Sequence, residues 1–385
     1  MGCGSSSPEH ALAPSGELPF KKKQGKDPKL ADADINTGAV VGQSVEEAGQ
    51  KIEAALAEAV AEAKVPGMVA AITSSKGFLA IGSAGVRKTG SDSKLTEQDL
   101  IHLGSCTKAM TSVLLATLVA EEKLTWDTSL ISVLPELKGK VHPDYHPVTV
   151  WQLLTHRAGL EANAANWWIH GKMELKKRRL AILEANLKEA PARKQGEYHY
   201  SNLGYLIAGC MAEKVTGSTW ETLMRKRIFE PLGMKSAGFG PPGASGKTEQ
   251  PWGHVRSGEG WRPRQFDNAE ALGPAGRVHA SFADWAKFIA MQLPGGKNLG
   301  LDRKILDKLI TPTGTYAGGW FIAKRPWGKG TVMNHSGSNT MWYALVWVAP
   351  QLDRAFLVAT NSLDDNSHPT CDQMIGKLIK IDQGN

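Results

Sequence analysis

Gly104-Ser105-Cys106-Thr107-Lys108-Ala109-Met110-Thr111-Ser112-Val113-Leu114-Leu115 sets a serine and a lysine three residues apart at the head of a long apolar run. Thr107 to Glu122 holds neither Gly nor Pro, and Met110, Val113, Leu114, Leu115, Leu118 and Val119 mark it as a buried helix. Residues i and i+3 share one helix face, so the Lys108 amine reaches the Ser105 hydroxyl. A serine hydroxyl becomes a competent nucleophile when a neighbour takes its proton. A helix N-terminus also points N–H groups at developing negative charge. Cys106, at i+1, faces away from Ser105 and reads as packing.

Working outward, Ser44 to about Lys64 predicts an amphipathic helix. Ser44 and Glu47 form a capping box, Ile52, Leu56 and Val60 recur at helical spacing, and Pro66-Gly67 stops it. Met68–Thr73 and Phe78–Ile81, split by Ser74-Ser75-Lys76-Gly77, predict a β-hairpin. From about 125 to 253 the pattern is mainly helical, with helices expected at Trp151–Leu154, Leu175–Leu187, Leu203–Lys214 and Trp220–Phe229. Further helices are expected at Phe282–Leu293 and Arg303–Ile310, and strands at Trp320–Ala323, Thr331–Asn334, Met341–Val348 and Ala355–Thr360. Strands at both ends with helices between predict a sheet closed by the two ends of the domain, with a mostly helical segment inserted.

Two further segments carry chemistry. Tyr200-Ser201-Asn202 leads into a predicted helix. A phenol beside a lysine cation is a candidate general base, and the Asn202 amide suits a substrate carbonyl and the lysine. His335-Ser336-Gly337 follows a predicted strand. Gly337 lets a substrate lie close against a sheet edge, and the Ser338 N–H is a candidate oxyanion donor beside that of Ser105.

Together these segments resemble the S-x-x-K, [YS]-x-N and [KH]-x-G set of serine β-lactamases and penicillin-binding proteins. The tyrosine form resembles the class C branch: class C β-lactamases, D-alanyl-D-alanine carboxypeptidases and β-lactamase-like esterases. Leu153-Leu154-Thr155-His156-Arg157-Ala158-Gly159-Leu160, Pro274-Ala275-Gly276-Arg277 and Tyr316-Ala317-Gly318-Gly319-Trp320 look similar to that branch too, and the resemblance spans roughly residues 48 to 375. It implies an α and β fold, an antiparallel sheet flanked by helices, with sheet parts at about 44–124 and 254–380 and a helical insertion at about 125–253. It also implies a serine hydrolase, without cofactor or metal, acting through an acyl-enzyme. Ser105 attacks, Tyr200 (its charge favoured by Lys108) or Lys108 itself takes the proton, and the N–H groups of Ser105 and Ser338 hold the oxyanion. Asn202, His335 and Gly337 complete the substrate site.

One departure bears on substrate. Class C β-lactamases usually carry K-T-G, whose lysine pairs with a β-lactam carboxylate, where this chain has His335-Ser336-Gly337. Histidine is a weaker, pH-dependent cation. The expectation therefore shifts to small esters or D-amino-acid amides. A class C-type β-lactamase, or a non-catalytic scaffold or penicillin-sensing member, stands as the alternative. Trp167-Trp168 either line an apolar pocket or pack in the core. His156 reads as structural.

In 385 residues with a formal charge of +7, the Lys and Arg are scattered and no nucleic-acid motif is present. Four cysteines form no C-x-x-C pair. His142 and His146 have a metal-ligand spacing, but Pro143 and Pro147 disfavour a helix there. There is no G-x-S-x-G. Residues 1 to 43 predict a disordered tail. Met1-Gly2-Cys3-Gly4-Ser5-Ser6 fits an N-myristoylation pattern, with Cys3 a palmitoylation site and Lys21, Lys22, Lys23 and Lys26 a basic cluster. The tail is then either a plain polar segment or a lipid anchor, and the location cytoplasmic or membrane-associated. No apolar run is long enough for a transmembrane helix. The sequence carries no signal for oligomeric state.

Overall fold

The computed structural model describes residues 40, 42–169 and 171–384. The lipid-anchor reading of Gly2 and Cys3 lies outside them. Eleven strands form among the described residues: β1 (Gly67–Ser74), β2 (Gly77–Gly85), β3 (Leu100–His102), β4 (Gly238–Phe239), β5 (Gly253–Ser257), β6 (Gly260–Arg264), β7 (Val278–Ser281), β8 (Phe321–Arg325), β9 (Gly330–Ser338), β10 (Tyr343–Ala349) and β11 (Arg354–Thr360). Six of them build one antiparallel sheet in the order β2-β1-β11-β10-β9-β8. The first strand thus pairs with the last, Met68 opposite Thr360.

Alternation along the strands sets the layers. Met68, Ala70 and Ile72 of β1 and Phe356 and Val358 of β11 face one side. That side is covered by α1 (Val45–Ala63) through Ala48, Ile52 and Leu56, and by the Ser367–Asp382 helix through Cys371, Met374, Ile375 and Leu378. Val69 and Ala71, with Leu357 and Ala359, face the other side. There the sheet meets α2 (Thr107–Ala120) and the Phe282–Ala290 helix. The capping box of α1 forms: Ser44 Oγ accepts from the Glu47 N–H at 3.1 Å and Glu47 Oε2 from the Ser44 N–H at 2.8 Å.

This is the expected fold class, an antiparallel sheet flanked by helices, and its details differ in places. Val40 is fully buried and bridges Gln43, whose side chain donates to Ile381 O at 3.0 Å, so the chain is engaged before the expected boundary at 43. β4 lies inside the stretch expected to be helical and pairs with β7. Trp320 precedes its strand, because Gly319 turns the chain at φ 90°. The helix from Trp220 gives way to a π-helical turn at Arg225–Phe229, just before Pro231, which removes a backbone donor. β9 runs past Asn334 to Ser338, because β10 keeps pairing with it as far as Tyr343 opposite Ser338. His335-Ser336-Gly337 therefore lies within a strand and not after one. β8 pairs with β9 only as far as Asn334, so β8 leaves that edge of His335–Ser338 open.

Candidate active site

Ser105 sits in a single 3-10 turn, Gly104–Cys106, that feeds α2. Gly104 takes φ +49°, and a Cβ there would run into the Ser338 backbone nitrogen. A Cβ on Gly337 would strike Leu103 O and lie 2.5 Å from the Ser105 nitrogen. These two glycines let the Ser105 turn and the end of β9 press backbone to backbone. The peptide nitrogens of Ser105 and Ser338 are thereby brought to one place. Cys106 is buried with its thiol on His335 O at 3.6 Å, and burial pushes its pKa up to about 12, so it serves as packing in this contact.

Lys108 is fully buried. Its Nζ lies 2.9 Å from Ser105 Oγ, 2.6 Å from Asn202 Oδ1 and 2.7 Å from the Ala275 carbonyl. Burial holds the amine well below the usual lysine range. A neutral amine has two N–H donors and one lone pair. Asn202 Oδ1 and Ala275 O are pure acceptors and take the two donors. Once the amine is deprotonated, its lone pair is left for the Ser105 hydroxyl. Asn202 opens the Asn202–Thr216 helix, whose N-cap Ser201 accepts from the Gly204 N–H at 3.1 Å, and its amide nitrogen donates to Asn163 Oδ1 at 2.8 Å.

Tyr200 has its ring centroid 4.8 Å from Lys108 Nζ, and its hydroxyl bonds to Ser105. Burial drives the phenol pKa up, and the Ser105 bond offsets this only in part. This differs from the expectation that a lysine cation ionises Tyr200: the amine is itself held towards neutrality, so the phenol keeps its proton. The His156 ring packs tilted against Tyr200, centroids 4.3 Å apart, and its Nδ1 accepts from the Ser201 N–H at 3.0 Å, pinning this segment.

His335 is where the expectation fails most clearly. It is buried, its Nδ1 donates to Ser336 O at 2.6 Å and its Nε2 accepts from the Tyr316 hydroxyl at 2.9 Å. Burial, and then the nearby Lys108, lower its pKa to about 3. Both ring nitrogens are engaged inside the protein and the ring is neutral, so it offers the cleft no cation.

Sequence reasoning missed a buried network behind Ser105. His102 Nδ1 accepts from the Gly104 N–H at 3.1 Å, which leaves Nε2–H to face Asp267 Oδ1 at 3.0 Å. Asp267 also accepts from Arg277 Nε at 3.0 Å and Asn339 Nδ2 at 3.0 Å. His102, the Arg277 guanidinium and the Asn339 amide lower its pKa to about 2 despite burial. One carboxylate thus holds both the turn before Ser105 and the residue after Ser338. Its members are scattered along the chain, and only His102, three residues before Ser105, gave a local hint. Asp267→Asn is expected to lower kcat roughly 10- to 100-fold by displacing this turn, with KM changed less than about threefold, measured by steady-state kinetics.

The cleft in front of Ser105 has a volume of about 520 Å³. Trp167, Trp168, Phe266 and Leu272 supply its apolar wall, and Asn163, Asn202 and Asn339 its polar one. Among the described residues lining it, none is Asp, Glu, Lys or Arg.

Histidines elsewhere share the condition of His335. Burial holds His254 and His279 at about 4. An unfolded histidine takes its proton near pH 6.5. Between about pH 6.5 and 3 the unfolded chain therefore binds more protons, and stability falls as pH drops through that window. The urea midpoint is expected to fall steeply from pH 7 to pH 4.5, and less steeply in His335→Gln.

Fold and site together define a class: chains that mount an S-x-x-K serine on a buried helix against the open edge of an antiparallel sheet. The family model described as Beta-lactamase matches residues 52–376, and the chain belongs to that family. Among its relatives are the unguisins hydrolase ungD' of Aspergillus campestris, 26% identical over 63% of this chain and 47% of that one. The lovastatin esterase of Penicillium rubens is 30% identical over 48% of this chain and 51% of its own. The chain thus spans about half the length of these two relatives. The octameric penicillin-binding protein homologue from Pyrococcus abyssi shares the fold, with a TM-score of 0.71 at 24% identity over 86% of this chain and 77% of its own.

Proposed function

We propose that this chain is a serine hydrolase that cleaves, through an acyl-enzyme on Ser105, esters that carry no charge within the Ser105 cleft. The observation that carries the reading is the buried Lys108 amine, held by two acceptors with its third partner the Ser105 hydroxyl. The amine accepts the Ser105 proton as Oγ bonds to the ester carbonyl carbon. The N–H groups of Ser105 and Ser338 receive the oxyanion. The carbonyl then re-forms, the ester C–O bond breaks, and the proton passes to the departing alcohol with the Tyr200 hydroxyl as relay. Water repeats the sequence on the acyl-enzyme, releasing a carboxylic acid and free Ser105.

Esters, in preference to β-lactams or D-amino-acid amides, follow from charge. A β-lactam brings a carboxylate and a D-amino-acid amide an ammonium. The described residues lining the cleft include no ionised side chain to meet either, and His335 is neutral. Burying an unpaired charge is costly. The esterase name of one relative supports the same choice. The test is the initial rate on p-nitrophenyl butyrate. Wild type is expected to turn over and Ser105→Ala to fall to background, with a butyryl adduct on Ser105 in the quenched intact mass. A folded wild type without turnover would shift the weight to D-amino-acid peptides or to a non-catalytic role.

A further inference from the structure

Beyond the rim of the Ser105 cleft lies a second cavity, also about 520 Å³. It shares Phe266 and Thr340 with the cleft, so these two side chains form the ridge between them. Trp252, Val255, Pro263 and Met341 give it apolar walls. Arg264, exposed on its rim, is the one charged residue among the described residues lining either cavity.

The ridge is built and held. Phe266 and Trp168 are each 56% exposed and stack at 5.8 Å. They are two of the four exposed large hydrophobic residues among the described ones. Apolar surface left in water and gathered at a cleft mouth marks a binding surface. Thr340 adopts φ +72°, a strained conformation for a β-branched residue. Phe266 directly precedes Asp267 and Thr340 directly follows Asn339, and the buried bond between those two, 3.0 Å long, fastens both sides of the ridge.

We infer that the second cavity is a substrate subsite. The natural substrate is a bulky ester whose reacting carbonyl lies at Ser105 and whose two apolar halves straddle the Phe266–Thr340 ridge. The far half is uncharged or ends in an anionic or hydrogen-bond-accepting group at Arg264. A butyrate-sized ester occupies only one of two cavities that each fall within the size range of a small-molecule site. This inference rests on the ester-hydrolase reading, and its test separates the two.

The experiment compares wild type with Val255→Trp, which fills the second cavity, and with Arg264→Glu. The first readout is the ratio of kcat/KM for 2-naphthyl decanoate to that for p-nitrophenyl acetate. It is expected to fall at least about tenfold in Val255→Trp. The second readout needs no catalysis: the affinity of 1-anilinonaphthalene-8-sulfonate, an apolar body with an anionic end, for Ser105→Ala protein. It is expected to fall at least about tenfold when Val255→Trp is added and to weaken with Arg264→Glu. Should Val255→Trp misfold by circular dichroism, Phe266→Ala, which removes the ridge, is expected to lower the same ester ratio. Unchanged ratio and unchanged dye affinity in the folded variants would overturn the inference. Absent ester turnover with dye binding lost in Val255→Trp would overturn the ester reading and leave the subsite standing.

Discussion

Lys108→Met is expected to lower kcat for ester hydrolysis by about 10³-fold or more, bringing it within an order of magnitude of Ser105→Ala. The size of the effect follows from the three partners of the amine. Two are acceptors that take up its N–H groups, so in the deprotonated amine the remaining lone pair falls on Ser105, the proposed nucleophile. Methionine has similar length and no basic atom. Lys108→Arg is expected not to rescue, because a guanidinium stays protonated at any working pH. In wild type the rate is expected to rise with pH through an acidic limb as the amine sheds its proton. Burial has moved that limb well below the ordinary lysine range. Tyr200→Phe is expected to lose less, since its phenol keeps its proton and serves as relay. Steady-state kinetics normalised to the concentration of folded protein measure all four. A Lys108→Met protein keeping more than a tenth of wild-type kcat would hand the base role to Tyr200.

Gly337→Ala is expected to cost about 10²-fold or more in kcat. The added methyl group would meet Leu103 O, the Ser105 nitrogen at 2.5 Å and the Cys106 nitrogen at 2.9 Å. All three are backbone atoms, so no rotamer change relieves the contact. Either β9 draws back or the turn before α2 shifts, and each parts the two oxyanion donors. Overpacking of this kind also destabilises by about 1–3 kcal/mol, visible as a lowered urea midpoint. Near-wild-type turnover would mean that the sheet edge yields without disturbing the hole.

The parts legible in the sequence were those with local signatures. The capping box at Ser44 and Glu47 announced α1, alternation announced the paired strands, and the apolar run after Ser105 announced α2. The Ser367–Asp382 helix escaped. Its buried Cys371, Met374, Ile375 and Leu378 do recur at helical spacing, but Pro369, Gly376 and many polar residues mask the pattern. At the site, motifs far apart in the chain converge, with Ser105, Lys108 and Asn202 within hydrogen-bond distance. The protonation states were not legible. The expectation that Lys108 ionises Tyr200, and that His335 faces substrate as a weak cation, treated both as if solvent-exposed. Burial decides each, and burial comes from residues such as Tyr316 and Phe321 that close over His335 from elsewhere in the chain. The Asp267 network was out of reach for the same reason.

The pairing of β1 with β11 dictates an order of events during synthesis. β1 and its hairpin partner leave the ribosome before the other strands, yet one edge of β1 has no strand to bind until β11, the last of the eleven among the described residues, follows. Throughout that interval the apolar faces of β1 and α2 lie uncovered. Non-local pairings of this kind slow folding and expose aggregation-prone edges. The nascent protein is therefore a natural client for chaperones that shield apolar segments. A nonsense codon that removes β11 removes the strand that joins β1 to β10, so the shortened product is expected to lack both the closed sheet and activity.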